Sequence, residues 1–470
     1  MEKMKHSIYS RRWFAVVLMA VLASMVSCSK SPFLDKKPNT SLVVPTTLED
    51  FQNLLDNTNI IGLTPVLGEI SSDNFYLVYN FWQSLDTKEQ NAYIWAADIY
   101  GGQGQAPDWD VPYQQVFYSN VILEGLANVK VDSSNIAQWN TLKGAALFTR
   151  AFAFYNLAQL FAPAYDSHSA GTDLSIPLRL SSDINVVSVH STIQQTYDRI
   201  LDDLHLAESL LPSLVPYANR NRPSRPAVQA LLARVYLSQR NYTQATLSAD
   251  SCLQSFPNSL FYYDSLDTVR SFPITQFNSE TLYQGAFLNY TQALAGFFYP
   301  QCVIDSMLYQ SYDPNDLRRF FFYKTTAAGS PYLRGSYNGS VYPFGGLATD
   351  EVYLIRAEGR ARAGNASGAM DDLNVLLSTR WKAGTYHTFT ASSAKEALDT
   401  ILLERRKELA FRGLRWTDLR RLNKEGANIT FTRYLNGTFY YLRPADSLFY
   451  TLPIPPDVIA FSHMAQNKRP

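Results

Sequence analysis

Cysteine and histidine are scarce in this chain, which limits the metal and redox chemistry available to it. The 470 residues include three cysteines and six histidines. Neither a Cys-x-x-Cys nor a His-Glu-x-x-His spacing occurs among them, so the sequence supports no zinc site. The sequence favours Cys252 and Cys302 as small apolar core side chains, although an oxidising compartment would permit a disulfide between them.

An excess of charge of either sign is also absent. Lysine plus arginine and aspartate plus glutamate both number 41, and the isoelectric point is near 7.0. A nucleic-acid-binding protein would show a basic excess or stripe, so the sequence predicts no nucleic-acid partner. Beyond Val26, no run reaches the roughly 20 consecutive apolar residues that a membrane-spanning helix needs.

The N-terminus carries the pattern of a lipoprotein export signal. Four basic residues between Lys3 and Arg12 precede an apolar segment from Trp13 to Val26, which at about 14 residues is too short to span a bilayer. The segment ends in Ser27-Cys28, similar to a bacterial lipobox in which the cysteine is acylated and becomes the first mature residue. A thioether-linked lipid and an amide-linked acyl chain such as palmitate would supply the two anchors that stable attachment needs. A soluble secreted protein is the alternative.

We expect four segments along the chain. They are a signal peptide over 1–27, a lipidated stalk over 28–45 that is rich in Ser, Pro, Lys and Asn, an N-terminal helical part over 46–255 and a C-terminal part over 256–470. The last two are expected to form one integrated globular body. Two long stretches without helical periodicity, 60–112 and 256–349, interrupt the helical pattern and are rich in aromatic, Gly, Asn and Ser residues; loops of that length are usually functional.

Helical periodicity elsewhere predicts pairs of helices joined by short turns. Small residues at the expected crossing points make these pairs similar to tetratricopeptide-type repeats, although the period is irregular. The predicted helices cover 48–55, 142–161, 197–211, a segment beginning at Pro226, 241–253, 350–363, 366–380 and 394–411.

Three polar motifs invite a functional interpretation, and in each case the sequence favours a structural one. The charged run 404–421 predicts helix-face pairs, Glu404 with Lys407 and Arg405 with Glu408, and arginines at 415, 420 and 421 that dock helix carbonyls. The cluster 313–316 predicts a helix cap by Asp313 or Asn315, since calcium needs six to eight oxygens. The glycine-rich segment 101–104 lacks the lysine of a phosphate-binding loop and predicts a flexible tip.

Aromatic residues, with 30 Tyr, 27 Phe and 7 Trp, exceed what a core alone requires. Tyr and Trp combine an apolar ring face with a polar tip, which suits surfaces that stack on sugars or grip peptides. Neighbouring carboxylates would bond to sugar hydroxyls. The candidate ligand-binding residues are Asp73, Tyr76, Trp82, Trp95, Tyr100, Trp109, Tyr290, Tyr299 and Tyr337, and burial in the core is the alternative for each ring.

A series of short motifs follows Cys28 in a consistent order along the chain. They are Phe33-Leu34-Asp35, Arg150-Ala151-Phe152, Ile176-Pro177-Leu178-Arg179, Asp316-Leu317-Arg318, Tyr353 to Glu358, Glu404 to Leu409, Gly413 to Arg420, Leu452-Pro453-Ile454-Pro455 and Gln466-Asn467. In these motifs and their order, the chain resembles the SusD/RagB family of outer-membrane nutrient-binding lipoproteins of Bacteroidetes-type bacteria. The resemblance covers essentially all of 28–470.

This resemblance implies a mostly α, SusD-like fold, an irregular tetratricopeptide-like helix-pair scaffold with long aromatic-rich loops and little β structure. It also implies a lipid-anchored, surface-exposed protein of the outer membrane that binds a nutrient oligomer, most readily a glycan. The partner implied is a SusC-like TonB-dependent transporter, and neither catalysis nor a cofactor is implied. Surface-exported members often carry acids directly after the lipidated cysteine, whereas here Ser29-Lys30-Ser31 follow and Asp35 is the first acid, which leaves a periplasm-facing anchor open.

Two alternatives remain at this stage. A peptide-binding member of the same fold would keep the scaffold and change the ligand. The other alternative is a lipid-anchored glycosidase or peptidase. A glycosidase would need two carboxylates about 5 Å apart in a retaining enzyme, or about 6.5–9.5 Å apart in an inverting one, in a cleft between the 73–110 and 290–345 segments.

Overall fold

The computed structural model describes residues 45–257 and 259–469. The predicted signal peptide, Cys28 and the stalk through residue 44 therefore lie outside the described residues. From residue 46 onward the chain forms one compact unit, in which helices predominate and strands are short. The expected mostly α fold with little β structure is confirmed.

The scaffold consists of helices that pack mainly on their neighbours in sequence, α5 on α6, α6 on α7, α8 on α9 and α13 on α14. The helices are α1 (Leu48–Leu55), α2 (Leu67–Ile70), α3 (Tyr79–Ser84), α4 (Thr87–Tyr93), α5 (Pro107–Leu126), α6 (Ile136–Phe161), α7 (Ile193–Leu210), α8 (Arg225–Ser238), α9 (Tyr242–Ser255), α10 (Gln292–Gly296), α11 (Ser306–Gln310), α12 (Leu317–Phe322), α13 (Thr349–Arg362), α14 (Ala366–Leu377), α15 (Ala394–Glu408), α16 (Arg415–Asn423) and α17 (Pro456–Ser462).

The predicted helices all form, and one long helix was missed. Helix α5 begins at Pro107, whereas the expected irregular stretch ran to Pro112. Pro112 lies inside the helix, where a proline lacks the N–H that would donate to the carbonyl four residues earlier. The proline and the absence of a clear apolar stripe hid this helix, so the first irregular stretch ends at residue 106.

The strands of the described residues pair two by two. They are β1 (Leu63–Thr64), β2 (Phe75–Leu77), β3 (Leu174–Pro177), β4 (His190–Thr192), β5 (Thr281–Tyr283), β6 (Ala286–Phe287), β7 (Cys302–Ile304), β8 (Tyr323–Thr325), β9 (Pro331–Leu333), β10 (Leu347–Ala348), β11 (Phe431–Leu435) and β12 (Thr438–Leu442). The pairs are β1–β6, β2–β7, β3–β4, β5–β10, β8–β9 and β11–β12, and only β1–β6 is parallel among them. Pairs β1–β6 and β2–β7 join the two irregular stretches to each other.

A large apolar core runs through the body, and a second cluster lies between α13, α14 and α15, with Leu354, Leu376 and Ile401 fully buried. Cys252 and Cys302 are buried, unbonded core residues, so the core interpretation is confirmed. None of the helices in 45–257 and 259–469 combines the length and apolar character that crossing a bilayer requires.

The charged run 404–421 is buried, and most of its partners come from distant parts of the chain. Glu404 pairs with Lys407 at 2.7 Å, as predicted. The predicted pairing of Arg405 with Glu408 is wrong, since Arg405 binds Asp418 at 2.8 Å while Glu408 binds Arg318 and Arg380. A better-aligned non-local carboxylate outcompetes the local one.

The three arginines predicted to dock helix carbonyls divide into two groups. Arg420 donates to the carbonyls of Gln159 and Ala162 at the C-terminal end of α6, as predicted. Arg415 and Arg421 bind carboxylates instead, those of Asp73 and Glu358. Burial explains the difference, because a buried carboxylate needs a cation more than a helix end does.

The 313–316 cluster forms a cap, but by a different residue from the one expected. Asp316 is the N-cap of α12, and its carboxylate accepts the backbone N–H of Arg318 at 3.1 Å. Asp313 accepts the N–H of Asn315 at 2.7 Å and so shapes the preceding turn. The motif therefore caps a helix as predicted, but the capping residue is Asp316 and not Asp313 or Asn315.

Candidate functional site

An open cleft of about 830 Å³ lies where the two irregular stretches meet. Its walls come from residues within 58–63, 270–277, 284–286 and 338–342, together with Asn221. The parallel β1–β6 pair, with Leu63 opposite Ala286, forms its floor. The fold thus brings segments more than 200 positions apart into one surface.

Glycines allow the backbones of the floor and wall to approach closely. A Cβ on Gly285 would lie 2.9 Å from the carbonyl oxygen of Gly62. Gly339 has a φ of +61°, and a Cβ there would lie 3.0 Å from the backbone nitrogen of Gln276. Larger residues at these positions would push the strands apart and widen the cleft.

Rings and neutral polar groups dominate the lining. The aromatic members are Phe272, Phe277 and Tyr342, of which Tyr342 is 40% exposed. Amides and hydroxyls come from Thr58, Asn221, Ser271, Thr275, Gln276, Gln284, Asn338 and Ser340. Such a surface offers ring faces for stacking beside donors and acceptors for hydroxyl groups.

The amide of Gln284 organises the cleft wall. Its Nε2 donates to Oδ1 of Asn338 at 2.6 Å, and its Oε1 accepts the backbone N–H of Phe277 at 3.3 Å. Phe277 has a φ of 54°, a left-handed conformation that is uncommon for a bulky residue and tends to occur at functional sites. The Gln284 contact holds the backbone of Phe277 in this conformation at the cleft.

Four of the nine predicted site residues lie in the core. Trp95 donates its indole N–H to Ser71 O at 2.9 Å, and Tyr100 donates its hydroxyl to Pro453 O at 2.9 Å. The Trp109 ring packs edge-on against Phe161 at 5.0 Å. Tyr337 is 1% exposed and bonds to Glu280 at 2.9 Å. Their rings pack against protein atoms and not against solvent.

Tyr290 and Asp73 are engaged in polar contacts at the edge of the core. The Tyr290 hydroxyl donates to the buried carboxylate of Asp108. Asp73 lies 2.6 Å from Arg415 and 3.2 Å from Arg406. Both side chains therefore already have strong hydrogen-bond partners within the protein.

Two of the remaining three predicted residues, Tyr76 and Tyr299, form an accessible aromatic surface, and the third, Trp82, is half-buried. Tyr76 on β2 is 47% exposed, and Tyr299, just before β7, is 60% exposed. The β2–β7 pairing brings their segments together, with Val78 N donating to Gln301 O at 3.0 Å. The half-buried Trp82 stacks on Tyr79 with ring centroids 5.9 Å apart.

This aromatic surface is linked to the cleft through a pair of rings. Phe298, the neighbour of Tyr299, packs edge-on against the cleft residue Phe272 with centroids 6.0 Å apart. The cleft residues themselves were missed by the sequence reasoning, which weighted Tyr and Trp. A usable signal was the run 271–279, in which Ser, Thr, Gln and Asn alternate with two phenylalanines.

A carboxylate pair does lie near Tyr76, and its electrostatics argue against acid catalysis. Asp73 and Asp305 both contact the same Arg406 nitrogen, at 3.2 and 3.1 Å. Although burial acts to raise it, the guanidinium of Arg415, reinforced by Arg406, holds the pKa of Asp73 below its ordinary value. A glycosidase acid needs a raised pKa, so Asp73 is unsuited to that role. The cleft lining within the described residues includes neither Asp nor Glu.

Comparisons with known proteins agree with the helical scaffold. Residues 32–237 match the sequence profile of a family described as starch-binding and associating with the outer membrane, and residues 349–464 match the SusD family profile. A relative from Formosa agariphila, SusD-like protein P2, is 24% identical, with 76% of this chain and 79% of that protein aligned.

Solved structures show the same fold. A SusD superfamily protein from Bacteroides thetaiotaomicron has a TM-score of 0.72 at 21% identity, covering 90% of this chain and 100% of that one. A SusD-like carbohydrate-binding protein from Bacteroides vulgatus has a TM-score of 0.66 at 18% identity, covering 89% and 97%. A laminarin-binding SusD-like protein has a TM-score of 0.65 at 17% identity, covering 90% of this chain and 99% of that one.

The fold and the cleft define a class of helical scaffold proteins with a ligand-sized cleft. Within that class the chain belongs to the SusD/RagB family, which confirms the resemblance noted from its motifs.

Proposed function

We propose that this protein binds nutrient oligosaccharides in the cleft and delivers them to a SusC-like TonB-dependent transporter of the outer membrane. The observation that carries the proposal is the lining of the cleft, where the rings of Phe272 and Tyr342 lie beside side-chain amides and hydroxyls. Family relatives described as carbohydrate- and laminarin-binding support the same ligand class.

The lining suits capture followed by release. Axial C–H groups of a sugar stack on the ring faces, while the amides of Asn221 and Gln276 bond to its hydroxyls. Each such contact contributes about 1 kcal/mol, so affinity comes from many weak contacts and no single one holds the ligand. Tyr76, Trp82 and Tyr299 would extend the binding surface beyond the cleft, by way of the Phe272–Phe298 contact.

We assign a binding role without catalysis. The cleft lining of the described residues has no carboxylate to serve as acid, base or nucleophile. The carboxylates nearby, Asp73 and Asp305, share Arg406. The acylated Cys28 and the stalk to residue 45 would tether the body to the outer membrane, with surface exposure following from delivery to a transporter.

The test replaces the two accessible cleft rings. We expect Phe272→Ala with Tyr342→Ala to weaken oligosaccharide binding about tenfold, because two stacking contacts are lost, and to leave the melting temperature nearly unchanged. Tyr434→Ala is the matched control, since this ring is 61% exposed on the β11–β12 hairpin, outside the cleft. Binding is measured by calorimetry against glycan and peptide panels.

Three results would contradict the proposal. Binding of peptides alone would replace the ligand class and favour the peptide-binding alternative. Release of sugar products by the purified protein would favour the glycosidase. Unchanged glycan affinity in the double variant would move the site out of the cleft.

A further inference from the structure

The charge in the lining of the cleft is of one sign. Arg270 is the one charged side chain in the lining within the described residues. It lies on an exposed segment, with its side chain 59% exposed. Its carboxylate neighbour, Asp267, is as exposed and 3.7 Å away, so water screens the attraction between them and the pair is weak.

A second cation lies behind the cleft wall. Arg220 is 4% exposed, and its Nη1 donates to the carbonyls of Asn278 and Thr281 at 3.0 and 2.6 Å. Its own backbone carbonyl accepts the N–H of the lining residue Gln284 at 2.7 Å. The guanidinium thus lies directly beneath the polar wall of the cleft.

A third cation holds the segment that carries Arg270. Arg334 is 7% exposed, and its Nη2 donates to the carbonyls of Thr268 and Arg270 at 2.8 and 2.7 Å. Among the described residues, neither Arg220 nor Arg334 has a carboxylate within salt-bridge distance. The hydrogen bonds that the two guanidinium groups donate go to backbone carbonyls, and Nε of Arg334 is buried without a partner. Their charges are therefore not neutralised locally.

Uncompensated cations behind a cleft have an electrostatic effect on any ligand. Low-dielectric walls focus the field of like charges into a cleft and raise the local concentration of counter-ions. The lining provides no carboxylate to oppose that field. A guanidinium such as that of Arg270 also pairs in bidentate geometry with carboxylate, and binds other oxyanions through the same fork of donors.

We propose that the cleft selects acidic saccharides, with Arg270 binding a carboxylate or sulfate group of the ligand. This proposal rests on the proposed function of the cleft as an oligosaccharide site. Asp267 competes with the ligand for Arg270, and Arg220 and Arg334 add attraction from behind the wall without contacting the ligand.

The experiment measures, by calorimetry at low salt, the affinity of the full-length protein for three oligosaccharides of equal length. They are a neutral glucose oligomer, a uronic-acid oligomer and a sulfated galactose oligomer. We expect at least one acidic oligomer to bind about tenfold more tightly than the neutral one, as a charge-assisted contact predicts, and the advantage to shrink at about 0.5 M salt. Preference for the uronate or for the sulfate identifies the anionic group.

Three variants locate the effect. Arg270→Gln should lower affinity for the acidic oligomer about fivefold and leave affinity for the neutral one unchanged. Asp267→Asn should raise affinity for the acidic oligomer, because it frees the guanidinium. Lys395→Gln makes the same change of charge on α15, where the side chain is 83% exposed, and should alter neither affinity.

The outcomes separate this inference from the proposed function. Equal or tighter binding of the neutral oligomer, still lost in the Phe272/Tyr342 double variant, would overturn the acidic preference and leave the oligosaccharide site standing. Failure of all three oligomers to bind would overturn both. An acidic preference that survives Arg270→Gln unchanged would overturn the role of Arg270.

Discussion

Arg421 and Glu358 form a two-point ion pair in the interior of the protein. Nη1 and Nη2 of Arg421 lie 2.6 and 2.8 Å from Oε1 and Oε2 of Glu358, and both side chains are almost wholly buried. The pair connects α16 to α13. Arg362 also reaches Glu358, at 2.9 Å, so the carboxylate is held from two sides.

Removing one partner of this pair should be costly. We expect Arg421→Met to lower the free energy of unfolding by about 3–5 kcal/mol, because it leaves the buried carboxylate of Glu358 short of a cation. Urea denaturation measures the loss. Lys395→Ala breaks an exposed pair with Asp399 and should cost less than about 1 kcal/mol. Equal losses in the two variants would show that burial does not govern the cost.

The stability of the protein should depend on the ionisation of Glu69. Burial raises the pKa of Glu69 from 4.5 to about 7, against hydrogen bonds from Asn74, Gly413 and Ser72. Between these two values the folded state holds a proton that the unfolded state has released. The contribution of this group to the free energy of unfolding should therefore fall as the pH rises from about 4.5 to about 7, by about 3 kcal/mol in all, and stay flat above.

Glu69→Gln should remove that contribution, since glutamine does not titrate. In urea unfolding across this pH range, the free energy of unfolding of the variant should increase relative to that of the wild type as the pH rises. Glu49→Gln, at an exposed position on α1, serves as the control, and its free energy of unfolding should depend on pH in the same way as that of the wild type. If the free energies of unfolding of Glu69→Gln and the wild type differ by the same amount at every pH, the raised pKa of Glu69 is contradicted.

A substitution of Tyr337 shows whether this predicted site residue stabilises the core or binds ligand. Its hydroxyl lies 3.0 Å from that of Tyr263, 2.9 Å from Glu280 and 3.2 Å from Arg380. We expect Tyr337→Phe to cost about 1–3 kcal/mol of stability, because these partners lose a buried hydrogen bond. Tyr299→Phe changes an exposed ring in the same way and should leave stability unchanged. Weaker glycan binding by Tyr337→Phe at unchanged stability would argue for a direct ligand contact.

The proposed acylation of Cys28 can be tested in cells. We expect Cys28→Ala to abolish metabolic labelling with a radioactive fatty acid and to move the protein from the membrane fraction to the soluble one, because the acylated thiol is absent. Cys252→Ala, a change at a buried thiol, should leave labelling intact. Labelling that persists in Cys28→Ala would place the acyl group elsewhere.

Local sequence signals predicted most helices well, and their failures have physical reasons. The periodicity of α6 and the proline at the start of α8 act over a few residues and are visible in sequence. Helix α5 was missed because Pro112 is tolerated within it. Arg405 was assigned to Glu408 by spacing, whereas a carboxylate 13 positions away, Asp418, has the better geometry.

The site was harder to predict, because exposure depends on long-range contacts. Trp95 and Tyr100 have the composition of a binding surface, but their polar atoms find the carbonyls of Ser71 and Pro453. Nothing near residue 100 in sequence signals that residue 453 will cover it. The cleft depends similarly on the pairing of Leu63 with Ala286, and on glycines whose role is visible only when the strands meet.

The contact between Arg433 and the backbone near Phe75 has a consequence for how the chain matures. Arg433 on β11 donates to the carbonyl of Phe75 at 2.9 Å and to that of Ser72, across more than 350 positions. Contacts this distant slow folding, because a long loop must close before they form. The segment around residue 75 pairs with β7 but lacks Arg433 until the last strands have been synthesised. This part of the nascent chain therefore stays incompletely packed for most of its synthesis, and incomplete packing of that kind favours aggregation.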